Sequence, residues 1–276
     1  MSNIYYERNY NSTNFVKHKV NLIMIIKTEE ELLGMKKVSD AVALTLLKMK
    51  EYTQIGMSTK EIDEYGKKLL EAFGAKSAPF ETYGFPGYSC ISVNHEFAHG
   101  IPSEKVVLKN GDIINIDVSA ELEGFWSDNG CSFIVGEDIQ GLQHLIDTSH
   151  EILLEALSQI SGGVRIADIG KLIETKSKKA GYTVIRDLGG HGVGRSLHEE
   201  PDGIMNFYDR FDTQRRFRKD SVVAIETFIS TQSTFIEKSD DGWGFSGNKG
   251  GFVAQHEHTI LVTSGKPIIL TEANGI

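Results

Sequence analysis

An α+β fold of two similar halves, each with helices followed by antiparallel strands, is what the 276-residue sequence predicts. Three observations carry the prediction. Segments with helical periodicity and capping signals precede strand-like segments, and this order occurs twice. The stretches GMSTKEIDEYGKKLLEAFG and GVRIADIGKLIETKSKKAG share a glycine opening, an acid-isoleucine step (Glu61-Ile62, Asp168-Ile169) and a closing glycine, a faint internal repeat. Finally, acids inside the strand-like segments fall in matched pairs about the predicted turns, Asp117 with Asp128 and Glu226 with Glu257.

Composition bounds the class. Forty per cent hydrophobic and 24 per cent charged residues are ordinary for a soluble globular chain. A net charge of -9 argues against nucleic acid or an anionic membrane as the main partner. No apolar run reaches the length of about 20 residues that a membrane span needs. Two cysteines, Cys90 and Cys131, make no disulfide framework, so a reducing compartment and a cytoplasmic location are expected.

Residues 1–23 are polar, rich in Asn and Tyr and without periodicity. They lack the features of a signal peptide and are expected to be a disordered extension or an over-called translation start. A single folded domain is expected to span residues 24–276. Thr28 and Glu31 read as a capping box opening a helix from Glu29 to about Tyr52, with Leu32, Met35, Val38, Val42, Leu46 and Met49 at helical spacing. Ser58 and Glu61 form a second box, for a helix ending near Gly74. After the Gly/Pro-rich ETYGFPGYSC, Ile91-Ser-Val reads as extended. Residues 105–135 alternate as strands about a turn at Glu121-Leu-Glu-Gly124, and 138–158 are helical. A further helix runs from about Arg165 to Ala180, and strands follow at 182–187, 221–230 and 252–263.

The stretch VNHEFAHGIP contains a literal H-E-x-x-H, namely His95, Glu96 and His99. In a zincin two such histidines bind zinc from one stiff helix. Here a strand-like segment precedes His95, and Gly100 and Pro102 follow His99, so at most one helical turn fits. A zincin-type metalloprotease is the weakest of the readings.

The paired acids make a better site. Folding the first strand pair about Glu121-Leu-Glu-Gly124 sets Asp117 directly opposite Asp128, where cross-strand Cβ atoms lie about 4.5–5.5 Å apart. Asp117 stands among Ile114, Ile116 and Val118. Folding SVVAIETFIS onto FVAQHEHTILVT about Asp241-Gly242 likewise opposes Glu226 to Glu257. Carboxylates crowded in apolar strands repel unless they share a proton or bind a cation. GGHGVGRSLHEEP adds His191 and His198, although Arg195 at the third glycine position removes it from the dinucleotide-binding pattern. Four acids and a histidine are an oxygen-rich donor set for two divalent ions such as Mn, Fe, Co or Zn, which turn water into a nucleophile at neutral pH.

In order and spacing, CISVNHEFAHGIP, NIDVSAELEGFWSDNGCSF, GHGVGRSLHEEP, VVAIETFIS and FVAQHEHTILVT resemble type I methionine aminopeptidases, from about Met24 to Thr263 and beyond. The resemblance implies a pita-bread fold with two pseudo-symmetric halves around a dimetal centre, and removal of N-terminal methionine from nascent polypeptides when the second residue is small. It implies that Asp117 binds one metal, that Asp128 and Glu257 bridge both, and that His191 and Glu226 complete the other, with Glu226 shuttling a proton. His99 would contact the scissile peptide nitrogen and His198 would steady the carbonyl oxygen. Phe85, Cys90, Leu197, Phe228 and Trp243 would line the methionine pocket; plain core packing is the competing reading for each. The implied partner is the nascent chain near the ribosome, met by a monomer. Thr227 stands where the family usually has proline and Leu197 where an aromatic is common, which bears on substrate range. An Xaa-Pro peptidase of the same fold is the nearest rival, because it shares the five ligand types.

Overall fold

The computed structural model describes residues 23–276. The expectation of a disordered or over-called start at 1–23 therefore falls, apart from Ile23, outside the described residues. In chain order come α1 (Glu29–Tyr52), α2 (Thr59–Ala72), β1 (Lys76–Ser77), α3 (Ala78–Tyr83), β2 (Cys90–Val93), β3 (Glu96–Ala98), β4 (Ile113–Leu122) and β5 (Phe125–Ile134). Then follow α4 (Gln143–Ser158), α5 (Ile166–Lys179), β6 (Thr183–Val184), β7 (Gly189–Gly192), β8 (Glu199–Met205), β9 (Val222–Ser230), β10 (Ile236–Lys238), β11 (Phe245–Gly247), β12 (Val253–Leu261) and β13 (Ile268–Ile269).

The helix starts follow their caps. Ser58 and Glu61 make the complete reciprocal box at α2. At α1 the Thr28 hydroxyl accepts the Glu31 N–H at 3.1 Å, while the Glu31 carboxylate accepts the Lys27 N–H at 2.8 Å, one residue further back than a capping box requires. The α4 helix begins at Gln143 and not at 138, because the Asp138 carboxylate accepts the N–H groups of Leu142 and Gln143 and holds the preceding residues in a turn. Among the elements that went unread in the sequence, α3 lies within the Gly/Pro-rich stretch, and β7 and β8 flank the glycine loop around His191.

Most strands join one ten-stranded sheet in the order β1-β4-β5-β12-β9-β7-β8, with β2 on β4, β6 on β9 and β13 on β12. The two halves meet where β5 pairs with β12 at Cys131 and His256. Helices cover one face. Ile114, Ile116, Val118 and Ala120 of β4 pack in one cluster with Val42, Leu46, Met49 and Ile62 of α1 and α2. Val223, Ile225 and Ile229 of β9 pack with Leu153, Leu157, Ile169 and Ile173 of α4 and α5. Because strand side chains alternate, Asp117, Glu226 and Glu257 point from the opposite face.

The first hairpin corrects an expectation. Leu122 pairs with Phe125, so the turn is only Glu123-Gly124, with φ of 54° and 82°. Positive φ at both central residues belongs to the tight turn that matches strand twist, and Gly124 adopts it without steric cost. Asp117 therefore faces Gly130 and Asp128 faces Ser119. The two acids are diagonal neighbours on one face, not direct partners. The second hairpin holds its expected register: Glu226 faces Glu257, and Ile236 of β10 still faces Gly247 of β11 in the same alignment.

Candidate metal centre

Ligand atoms of Asp128, His191 and Glu257 lie within 4.8 Å of one another, and all three residues are buried. Each comes from a different strand: β5, β7 and β12. The His191 Nε2 is 3.6 Å from an Asp128 carboxylate oxygen, while its Nδ1 is 3.0 Å from the Gly192 carbonyl. That carbonyl can only accept, so it fixes the Nδ1–H tautomer and leaves the Nε2 lone pair facing the acids. Asp117 and Glu226 border this group. The Asp117 carboxyl hydrogen-bonds that of Asp128 and feels the charge of Glu226. All five residues singled out from the sequence thus converge.

The electrostatics are those of crowded acids. Burial first, then the charges of Asp128 and Glu226, push both Asp117 and Glu257 well above the usual carboxylate range. Burial raises Glu226 to about 7, against the charge of His191, which favours its ionised form. Burial also opposes charge on His191, but the nearby Asp128 carboxylate outweighs it and raises that imidazole. Among the described residues, Glu257 Oε1 is buried without a hydrogen-bond partner. A buried, unpartnered carboxylate oxygen beside a histidine lone pair and three further acids fits a divalent cation.

Sequence reading missed the residue that organises these acids. Gln255 Nε2 lies 3.3 Å from a Glu226 oxygen and 3.1 Å from a Glu257 oxygen. Its amide is oriented by Asn115, whose Nδ2 donates to Gln255 Oε1 at 2.8 Å and also to Ser132 Oγ. A Cβ on Gly130 would lie 2.5 Å from that Oε1, so glycine is what lets the amide pass. The signal was present: Asn115 and Gln255 stand two residues before Asp117 and Glu257, on the same strand faces as those acids. Glu199 is a second such residue. Its carboxylate accepts the Ser196 N–H at 2.8 Å and the buried Met24 N–H at 2.6 Å, holding the loop between His191 and His198.

The remaining candidates surround this centre. The His198 ring centroid lies 4.3 Å from that of His191. His99 has a φ of 55°, and its ring lies 5.1 Å from Phe245. The residue is exposed at the protein surface, yet burial of its ring nitrogens lowers its pKa, partly offset by Asp128. The H-E-x-x-H string holds no helix: Glu96 to Ala98 form β3, and His95 Nδ1 contacts the Gly251 carbonyl at 2.9 Å. Burial, followed by the charge of Asp241, raises the Glu96 carboxyl to about 7.

Of the expected pocket residues, Phe85 is buried edge-on against Trp243, 5.2 Å between ring centres. Cys90 faces Asp117 across β2 and β4, and burial followed by Asp117 holds its thiol protonated. Phe228 shares a strand face with Glu226 and packs in a cluster with Phe97, Ile185 and Val253. Leu197 is buried next to His198. Thr227 lies on the helix face instead, fully buried, with its hydroxyl 2.8 Å from that of Ser149 on α4.

Comparisons with known proteins agree with this geometry. The sequence pattern of Metallopeptidase family M24 matches residues 34–264. Methionine aminopeptidase 2 of Bacillus subtilis (strain 168) is 47% identical over 249 residues, covering 90% of this chain and all of that protein. The crystal structure of methionine aminopeptidase from Thermotoga maritima superposes with a TM-score of 0.85 at 35% identity, over 91% of this chain and 99% of that one. Prolidase from Pyrococcus furiosus shares the fold, with a TM-score of 0.71 at 22% identity over 90% of this chain and 65% of that one. With the family pattern matching residues 34–264, from within α1 to just past β12, the chain belongs to metallopeptidase family M24.

Proposed function

We propose that this protein is a methionine aminopeptidase that removes N-terminal methionine from polypeptides whose second residue is small. The observation that carries the reading is the convergence of Asp128, His191 and Glu257, flanked by Asp117 and Glu226, with an unpartnered buried oxygen on Glu257. Two divalent ions are the proposed cofactor. Asp117, Asp128, His191, Glu226 and Glu257 are the residues that would hold them. When bound, such ions polarise the substrate carbonyl and lower the pKa of water.

The chain's own residues do the rest. Glu226, a carboxylate at the border of the cluster, is assigned the proton transfer, accepting a proton and returning it to the leaving amine. His99 is assigned to the scissile nitrogen, its lowered pKa keeping the ring neutral at physiological pH. His198 is assigned to the carbonyl oxygen, where a preorganised donor counts most as negative charge develops. Phe85, Trp243, Cys90, Leu197 and Phe228 are the proposed methionine pocket. Residues 24–276 are the proposed catalytic domain, acting as a monomer on nascent chains near the ribosome in the cytoplasm. Unpaired Cys90 and Cys131 support that location.

The test is cleavage of Met-Ala-Ser against Ala-Pro-Ala by purified protein, with EDTA and then Co, Mn, Fe or Zn added back. Release of methionine alone, restored by metal, supports the reading. Preferential cleavage of Ala-Pro-Ala would replace it with the Xaa-Pro peptidase.

A further inference from the structure

We propose that Tyr83 is a positioning residue for His198, its hydroxyl fixing which imidazole nitrogen faces the reacting carbonyl. The inference rests on the role assigned to His198 above. The Tyr83 Oη lies 2.5 Å from His198 Nδ1, between residues 115 apart in sequence, and the rings are 5.8 Å apart at 44°. Both partners are held from behind. Tyr83 is the last residue of α3, whose N-terminus is capped by Ser77 and whose end is tied by the Gly84 N–H to the Phe80 carbonyl at 3.0 Å. Two residues later Phe85 is buried against Trp243, so residues 83–85 touch the second half of the molecule at two points. On the other side, the Ser196 hydroxyl donates to the His198 carbonyl at 3.0 Å, and Glu199 gathers the backbone of the same loop.

The chemistry follows from counting protons. A neutral imidazole carries one N–H, and its position is set by whatever the other nitrogen meets. A phenol beside Nδ1 can donate to it, which leaves the proton on Nε2. That tautomer presents an N–H to a carbonyl oxygen gaining negative charge, whereas the other would present a lone pair and repel it. A tyrosine at this position therefore selects the productive form of His198 without itself touching the substrate. Because Tyr83 is exposed at the surface, removing its hydroxyl leaves the core intact.

The test uses the full chain loaded with Zn, with nitrogen-15 in its histidines. In the unaltered protein His198 is expected to show an unprotonated Nδ1 and a protonated Nε2. In Tyr83→Phe the signals should move toward a tautomer mixture. The same substitution should lower kcat on Met-Ala-Ser by about tenfold with little change in KM, and should have no further effect in a His198→Ala background, as expected for coupled groups. A protonated Nδ1 in the unaltered protein, or an equal loss of kcat in both backgrounds, would overturn the proposal. The spectroscopic result is independent of turnover. A chain that fails to release methionine would thus sink the functional reading, while the tautomer would still decide the role of Tyr83.

Discussion

Glu226 and Glu257 face each other across the β9–β12 ladder, and a single amide nitrogen, that of Gln255, reaches both carboxylates at 3.3 and 3.1 Å. One donor shared by two acids sets their separation, and Asn115 in turn sets the donor. Replacing Gln255 with Met keeps the length of the side chain and removes the amide. Losing such a supporting group typically costs about 10–100-fold in metal affinity. A metal titration followed by calorimetry should show a loss of that size, and unchanged affinity would mean the amide is only packing.

Asp117→Asn and Glu257→Gln each remove charge from a cluster that needs a cation to offset its mutual repulsion. Both should abolish turnover and lower bound metal, as measured by elemental analysis after gel filtration. Normal metal content and activity in the two variants would refute the assigned ligands.

His99 and His198 are assigned to the substrate and not to the metal, which His99→Ala and His198→Ala test. They should keep full metal content while kcat falls by about 10²–10³, the cost of losing a preorganised transition-state donor. Loss of metal in either variant would place that histidine among the ligands. Glu96→Gln, by contrast, should leave kcat and KM close to those of the unaltered chain, since Glu96 lies on β3 outside the converged group.

Burial raises Glu226 from its usual 4.5 to about 7, and moves Glu257 and Asp117 upward as well. A raised folded-state pKa means that the folded chain holds protons which the unfolded chain has already released. Its contribution to stability is complete below the unfolded value and is lost as pH rises through the folded one. For Glu226 that window runs from 4.5 to about 7. The Tm of EDTA-stripped protein should therefore fall between pH 5 and pH 8, roughly the span over which this linkage acts. Added Mn should flatten the fall, and a Tm that rises with pH in the stripped protein would contradict these assignments.

Thr227→Val tests the residue that stands where proline is usual. Its hydroxyl meets Ser149, which also lies 3.1 Å from Nδ1 of the buried His256, all on the helix face. Losing one such buried hydrogen bond costs about 1 kcal/mol, or about 2–4 °C in Tm for a chain of this size. Substrate preference should not change, because Thr227 points away from the metal centre. A shift in preference would show that the strand transmits the change.

Much of the site was legible in the sequence because its chemistry conflicts with its surroundings. An acid such as Glu226, set among Val223, Ala224, Ile225 and Phe228, or Asp117 between Ile116 and Val118, needs a partner wherever the chain goes. Turn counting placed Glu226 against Glu257, since that hairpin stays in one register from β9 through β10 and β11 to β12. It failed by one step for Asp117, because the choice between a four-residue turn and the two-residue Glu123-Gly124 turn depends on backbone twist that composition does not encode. Periodicity and caps gave the long helices, but α3 and β7 are too short to show any period. Only the tertiary structure joined β5 to β12 at Cys131 and His256, and so brought Asp128 of one half against His191 and Glu257 of the other. It alone turned Thr227 away from the site, aimed the Gln255 amide and brought Tyr83 against His198. The physical reason is common to all of these. Local sequence fixes which groups must be satisfied, whereas the partner that satisfies them across a hundred residues is chosen by the packing of the whole sheet and its helices.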